Sequence, residues 1–138
     1  MPYSYFLAKT DPSDYPVSRF AADGRTLWDG VANAQAVQAI RAMRPGDWVF
    51  IYHSGGESAV VGLAKVAGQP RQDEANPKLW AVEMEFAGVI EPPITLAGIK
   101  ASGLFTDWAL VRQSRLSTMA APESFAKWIR AQRPKLKF

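Results

Sequence analysis

The chain has 138 residues, with 16 basic and 13 acidic side chains, one histidine, no cysteine, and 48% hydrophobic and 12% aromatic content. That is the size and apolar share of one packed domain, and the absence of thiols excludes disulfides, thiolate nucleophiles and zinc–thiolate centres. The lone His53 argues against a histidine-based metal site, no run of eighteen apolar residues offers a membrane span, and MPYSYFLAKTDP lacks the basic region and cleavage site of a secretion signal, so a cytoplasmic protein without metal, cofactor or membrane partner is expected.

The net charge of +3 is local rather than general. Five cations and no acid fall within 127–138, KWIRAQRPKLKF, which leaves 11 basic against 13 acidic side chains in the rest. The body is therefore not a phosphate-coating surface, and residues 131–138 read as a basic C-terminal tail on a single domain spanning 1–138.

In chain order, SYFLAKT (4–10) alternates as a first strand and stops at the loop DPSDYP (11–16). Ala36, Val37, Ile40 and Met43 recur at helical spacing before RPGD (44–47) ends the pattern. WVFIYHS (48–54) is a strand buried on both faces, turning at SGGES (54–58) into AVVGLAKVAG (59–68) as a hairpin. LWAVEMEFAGVI (79–90) has the period of two of a strand with one wet face, and EPP (91–93) is expected to break it. TLAGIKAS holds a short helical turn, ALVRQSRLSTM (109–119) reads as extended, and Phe125, Trp128 and Ile129 after Pro122 define a C-terminal helix. Hairpin-connected strands with few helices are not the alternation of a doubly wound sheet, so the fold class is α+β, a small mixed barrel.

Catalysis finds little support in these residues. His53 and Ser54 are neighbours on a strand and point to opposite faces, so they cannot form a nucleophile–base pair, and neither a G-x-S-x-G elbow nor a phosphate loop is present. Binding has more. Lys9 and Thr10, Trp28-Asp29-Gly30, Asn33, Tyr52-His53-Ser54, and Arg112 through Ser117 sit at strand ends and turns and offer flat rings, hydrogen-bonding groups and a few cations. These suit a planar heterocycle, which stacks on an aromatic face while polar groups read its edge. Trp48, Trp80 and Trp128 are expected in the core, whereas Trp28 falls outside any apolar stripe. Either Asp29 or Asn33 suffices to cap the following helix; Asn33 shares the helical phase of the apolar positions and so is expected to face inward, toward a ligand, a water or its own cap.

Taken together, YFLAKTDP, WDGVANAQA, GDWVFIYHSGG, AVVGLAKV, LWAVEMEF and LVRQSRLS resemble, in order and spacing, the EVE domain, a PUA-like family related to YTH and ASCH domains. The likeness spans residues 3 to 130. It implies a PUA-like pseudo-barrel of mostly antiparallel strands with flanking helices, and a pocket for a flipped, modified base in DNA or RNA. By position, Trp28 would be a wall of that pocket, with Lys9 and Thr10 at its mouth. Gly30 would allow close approach of the backbone, Asn33, Tyr52, His53 and Ser54 would contact the base, and Arg112, Arg115 and Ser117 would follow the rim or the nucleic-acid backbone. The chain departs from the family at Ala32 and Ala34, where an Arg and an aromatic are usual, and at Thr10, where Ser is usual. The function expected is a non-catalytic reader of a methylated or hydroxymethylated base; the alternatives are a general RNA-binding module and a small nucleotide-directed hydrolase or transferase.

Overall fold

The longest alternating run of the sequence becomes the longest strand and the hub of the sheet. The computed structural model describes residues 3–55 and 58–138, with Gly30 described only as a member of its strand. The elements are β1 (Tyr5–Thr10), α1 (Val17–Asp23), β2 (Arg25–Val31), α2 (Ala34–Ala42), β3 (Trp48–His53), β4 (Ala59–Val66), β5 (Arg71–Gln72), β6 (Trp80–Thr95), α3 (Leu96–Ala101), α4 (Ala109–Arg112), β7 (Thr118–Ala121) and α5 (Glu123–Gln132). The strands form one mixed sheet in the order β2-β6-β4-β3-β1-β7, with β5 also pairing with β6. Only β1 and β3 run parallel, and the sheet curls into a half-barrel. Helix α2 lies against β7 near one end of that sheet and β6 near the other, and so spans the open side. The α+β pseudo-barrel expected from the sequence is the fold observed.

The core is built from Leu7, Phe20, Ile40, Phe50, Leu63, Met84, Phe125 and Ile129, all essentially inaccessible. Phe125 of α5 meets Phe50 of β3 edge-on at 5.1 Å between ring centres, an arrangement that favours the ring quadrupoles. Asp47 is buried because it is fully used: its two oxygens accept the N–H groups of Ser4 and Arg44, tying the RPGD turn to the start of β1. The hairpin of β3 and β4 follows the sequence reading, although its turn lies partly outside the described residues.

Several sequence expectations are corrected. Glu91-Pro92-Pro93 does not end β6: the ladder jumps from Val60↔Ile94 to Gly62↔Val89, so the prolines sit in a bulge where no ladder donor is needed. Residues 109–119 are not one strand. Ala109–Arg112 form a helical turn, and only Thr118–Ala121 pair with β1; the even spacing of the buried Leu110 and Leu116 mimics a strand. Trp28-Asp29-Gly30 is not a turn but part of β2. Trp48, Trp80 and Trp128 are half-buried and packed against the core rather than enclosed in it. Residues 133–138 do not hang free. Arg133 donates twice to the Pro92 carbonyl, and Phe138 packs on Tyr5, Trp48 and Phe50 while the Arg130 guanidinium covers its other side at 4.3 Å.

Candidate functional site

A cleft of about 480 Å³ opens between the end of β1, the loop after it and the outer edge of β2. Lys9, Thr10, Asp14, Tyr15, Thr26, Leu27, Trp28 and Asp29 line it. Its aromatic wall follows from strand alternation. Thr26 and Trp28 lie opposite the buried Met84 and Val82, so their side chains share the inner face, whereas Leu27 and Asp29 turn theirs outward. Trp28 is braced by Phe20 at 6.1 Å and meets Tyr15 nearly perpendicular, at 6.3 Å and 81°.

The loop carrying Tyr15 is held at several points. Asp11 accepts from the backbone and hydroxyl of Ser13, and its carbonyl accepts from Asp14 and Tyr15. Thr10 Oγ1 donates to the Tyr15 carbonyl, and the Tyr15 hydroxyl donates to Asp23 Oδ2. His53 closes the set: its Nε2 accepts the Val17 N–H at 3.0 Å, at the first residue of α1. Nε2 must then be unprotonated, and burial lowers the imidazole pKa while the Asp11 carboxylate opposes that shift.

Lys9 joins the cleft to a second depression. Its Nζ donates to the Ser114 carbonyl at 2.9 Å and lies 5.4 Å above the Tyr52 ring, and burial lowers its pKa. Beyond it, Asn33, Gln35, Arg112, Gln113, Ser114, Arg115 and Leu116 line a shallower hollow of about 330 Å³. Arg112 is paired with Asp107, whereas Arg115 has no ion-pair partner among the described residues. Ala32 and Ala34 are exposed on either side of Asn33.

The structure thus brings Lys9, Thr10 and Trp28 together, and groups Asn33, Arg112 and Arg115 in the neighbouring hollow. Asn33 is exposed, not inward as its helical phase implied: it is the N-cap of α2, and its Oδ1 accepts from Gln35 and Ala36. A cap residue precedes the helix and need not keep its phase. Tyr52 is buried, His53 is committed to Val17, and Ser54 and Ser117 are half-buried beside the cleft-forming strands, Ser54 N–H bonding to Thr10 and the Ser117 carbonyl accepting from Lys9 N–H. The expectation for Gly30 lies outside the described residues. Tyr15 and Thr26 were missed; reading RTLWDGV as a strand puts Thr26 on the face of Trp28, and Tyr15 is the one ring in the proline-flanked loop DPSDYP. Among the described residues no cluster of three metal-ligating side chains occurs, and no helix is long and apolar enough to cross a membrane.

A curled mixed sheet plugged by helices, with an aromatic cleft at the edge of β2, defines a PUA-like pseudo-barrel protein. The EVE domain pattern matches residues 4–132, and the chain belongs to the EVE domain family. It is 33% identical over 125 residues to thymocyte nuclear protein 1 of Rattus norvegicus, covering 70% of this chain and 55% of that protein. The corresponding Homo sapiens protein is 34% identical over 92 residues, covering 54% and 41%. The chain spans about half the length of the curated relatives it matches. Among solved structures, a Rhodopseudomonas palustris protein aligns with a TM-score of 0.89 at 30% identity, over 98% of this chain and 96% of that one. Human THYN1 protein in complex with DNA containing 5-methylcytosine aligns with a TM-score of 0.83 at 24% identity, over 94% and 98%, a likeness of fold.

Proposed function

We propose that this chain is a single-module, non-catalytic, cytoplasmic binder of nucleic acid that receives an extruded, modified base in the Trp28 cleft. The observation that carries the reading is the cleft itself: a half-buried indole braced by Phe20, edged by Tyr15, with the Lys9 ammonium at its mouth. Its volume of about 480 Å³ lies in the range of small-ligand sites. The structure of THYN1 with 5-methylcytosine DNA, on the same fold, supports DNA as the partner and a modified cytosine as the first base to test. Extruding a base costs a few kcal/mol, and stacking on an aromatic face recovers about 1–3 kcal/mol per base, so edge contacts must supply the remainder.

A purely tail-driven RNA binder is less well supported, because Arg130 and Arg133 are engaged in packing the C-terminal segment. A hydrolase centred on His53 is likewise less well supported, since its Nε2 already accepts the Val17 N–H. Titration of duplexes carrying 5-methylcytosine or cytosine against wild type and Trp28→Ala tests the reading. Wild type is expected to prefer the methylated duplex, and Trp28→Ala to lose about tenfold or more in affinity, the equivalent of one lost stack. Equal affinities in all four combinations would refute it.

A further inference from the structure

Resting on that reading, we infer that the ligand's edge is read by the main chain of β2: the outward-facing N–H and C=O of Leu27 are its hydrogen-bonding partners. β2 ends the sheet and pairs only with β6. Phe86 N–H bonds to the Gly24 carbonyl, and the register runs Arg25↔Glu85, Thr26↔Met84, Leu27↔Glu83, Trp28↔Val82. In an antiparallel ladder, residues bonded to the partner strand alternate with residues whose N–H and C=O turn away from it. Gly24, Thr26 and Trp28 therefore bond to β6, and the peptide groups of Leu27 point outward, just before the strand enters its bulge.

The side chains of Leu27 and Asp29 lie on the other face, where both residues line a separate hollow with Arg71 and Gln72. Their place in the Trp28 cleft thus comes through the backbone. No described residue outside the ladder hydrogen-bonds to those groups. An N–H and a C=O set side by side match a heterocycle edge bearing an adjacent acceptor and donor, and a strand held by β6 presents them without losing side-chain entropy. Once the cleft is filled and dry, a ligand lacking that edge leaves them unpaired, which is how a polar site rejects near-isosteres. A free strand edge also invites another strand, but this one is interrupted by the bulge and carries the charged Arg25 and Asp29, features that discourage strand addition.

The test separates main chain from side chain, using a short duplex with one 5-methylcytosine. Leu27→Pro deletes the N–H at an edge position that tolerates proline, and an ester at position 27, installed as the α-hydroxy analogue of leucine, deletes it with almost no change of shape. Both are expected to weaken binding about tenfold, the loss of one hydrogen bond in a desolvated site. Wild-type affinity in the ester variant overturns the inference, and does so even if Leu27→Pro fails to fold. Unchanged affinity in Trp28→Ala would instead sink the cleft reading beneath it. Concentration-dependent dimerisation that Leu27→Pro abolishes, with DNA affinity intact, would assign the edge to strand pairing and also overturn the inference.

Discussion

His53 acts as an acceptor, and its charge state is coupled to the wall of the cleft. Its neutral ring holds the Val17 N–H, and Val17 follows the loop that positions Asp14 and Tyr15. Protonation converts Nε2 into a donor facing another donor. Burial depresses the folded pKa below the unfolded value of about 6.5, so the unfolded chain takes up the proton first. This contribution to stability is complete above that unfolded value and is lost as pH falls toward and through the folded pKa. Urea midpoints measured from pH 7.5 to pH 5 should fall in wild type, and the part due to this ring should vanish in His53→Gln, whose side-chain carbonyl accepts the same N–H at any pH. An unchanged slope in that variant would show the contact to be unimportant. Asn33 is the second residue with a measurable local duty: Asn33→Ala should cost about 1 kcal/mol through the lost cap, read by thermal unfolding.

At the scale of elements, the cleft depends on how closely α1 approaches the sheet. A Cβ at Gly62 of β4 would lie 2.7 Å from Val17 Cγ2 and 3.4 Å from the Gly88 carbonyl. Gly62→Ala is therefore expected to push out the start of α1, costing about 1–3 kcal/mol as overpacking and weakening DNA binding through Tyr15, measured by denaturation and titration together. The sequence made some of this legible. Period-two alternation identified β6, and Phe125 and Ile129 identified the inner face of α5, because those patterns report burial directly. It hid α1, whose Phe20 is its only buried side chain, and it hid the strand character of Trp28, because an edge strand with Asp-Gly at its bulge carries the composition of a turn. Lys9, Thr10 and Trp28 were legible as a group only through resemblance, since β1 and β2 lie at separate places in the sheet and no local spacing links them.

For the whole molecule, folding the C-terminal segment back changes what its charges can do. Arg130 and Arg133 serve as packing and hydrogen-bonding groups, which leaves Lys9, Arg112 and Arg115 as the cations beside the two hollows. Neutralising two or three phosphates gives a slope of log affinity against log salt of about −2 to −3. Titrations between 50 and 200 mM salt check this, and a slope as steep as that of a many-contact DNA-binding protein would mean that another face takes part. Deleting residues 134–138 should lower the unfolding temperature by uncovering Tyr5, Trp48 and Phe50, while leaving DNA affinity near wild type.

The position of β1 between β3 and β7 governs when the molecule becomes competent. Its register partners on one side, Thr118 through Ala121, lie far along the chain from it, and the carbonyl that receives Lys9 belongs to Ser114. Pairings so distant in sequence close slowly and late. During translation, the strand that carries Lys9 and Thr10 must therefore wait, with one edge uncovered, until β7 has emerged. A nascent chain stalled before β7 should hold β2 and its Trp28 yet lack a finished cleft, so the proposed binding would switch on only once β7 is made.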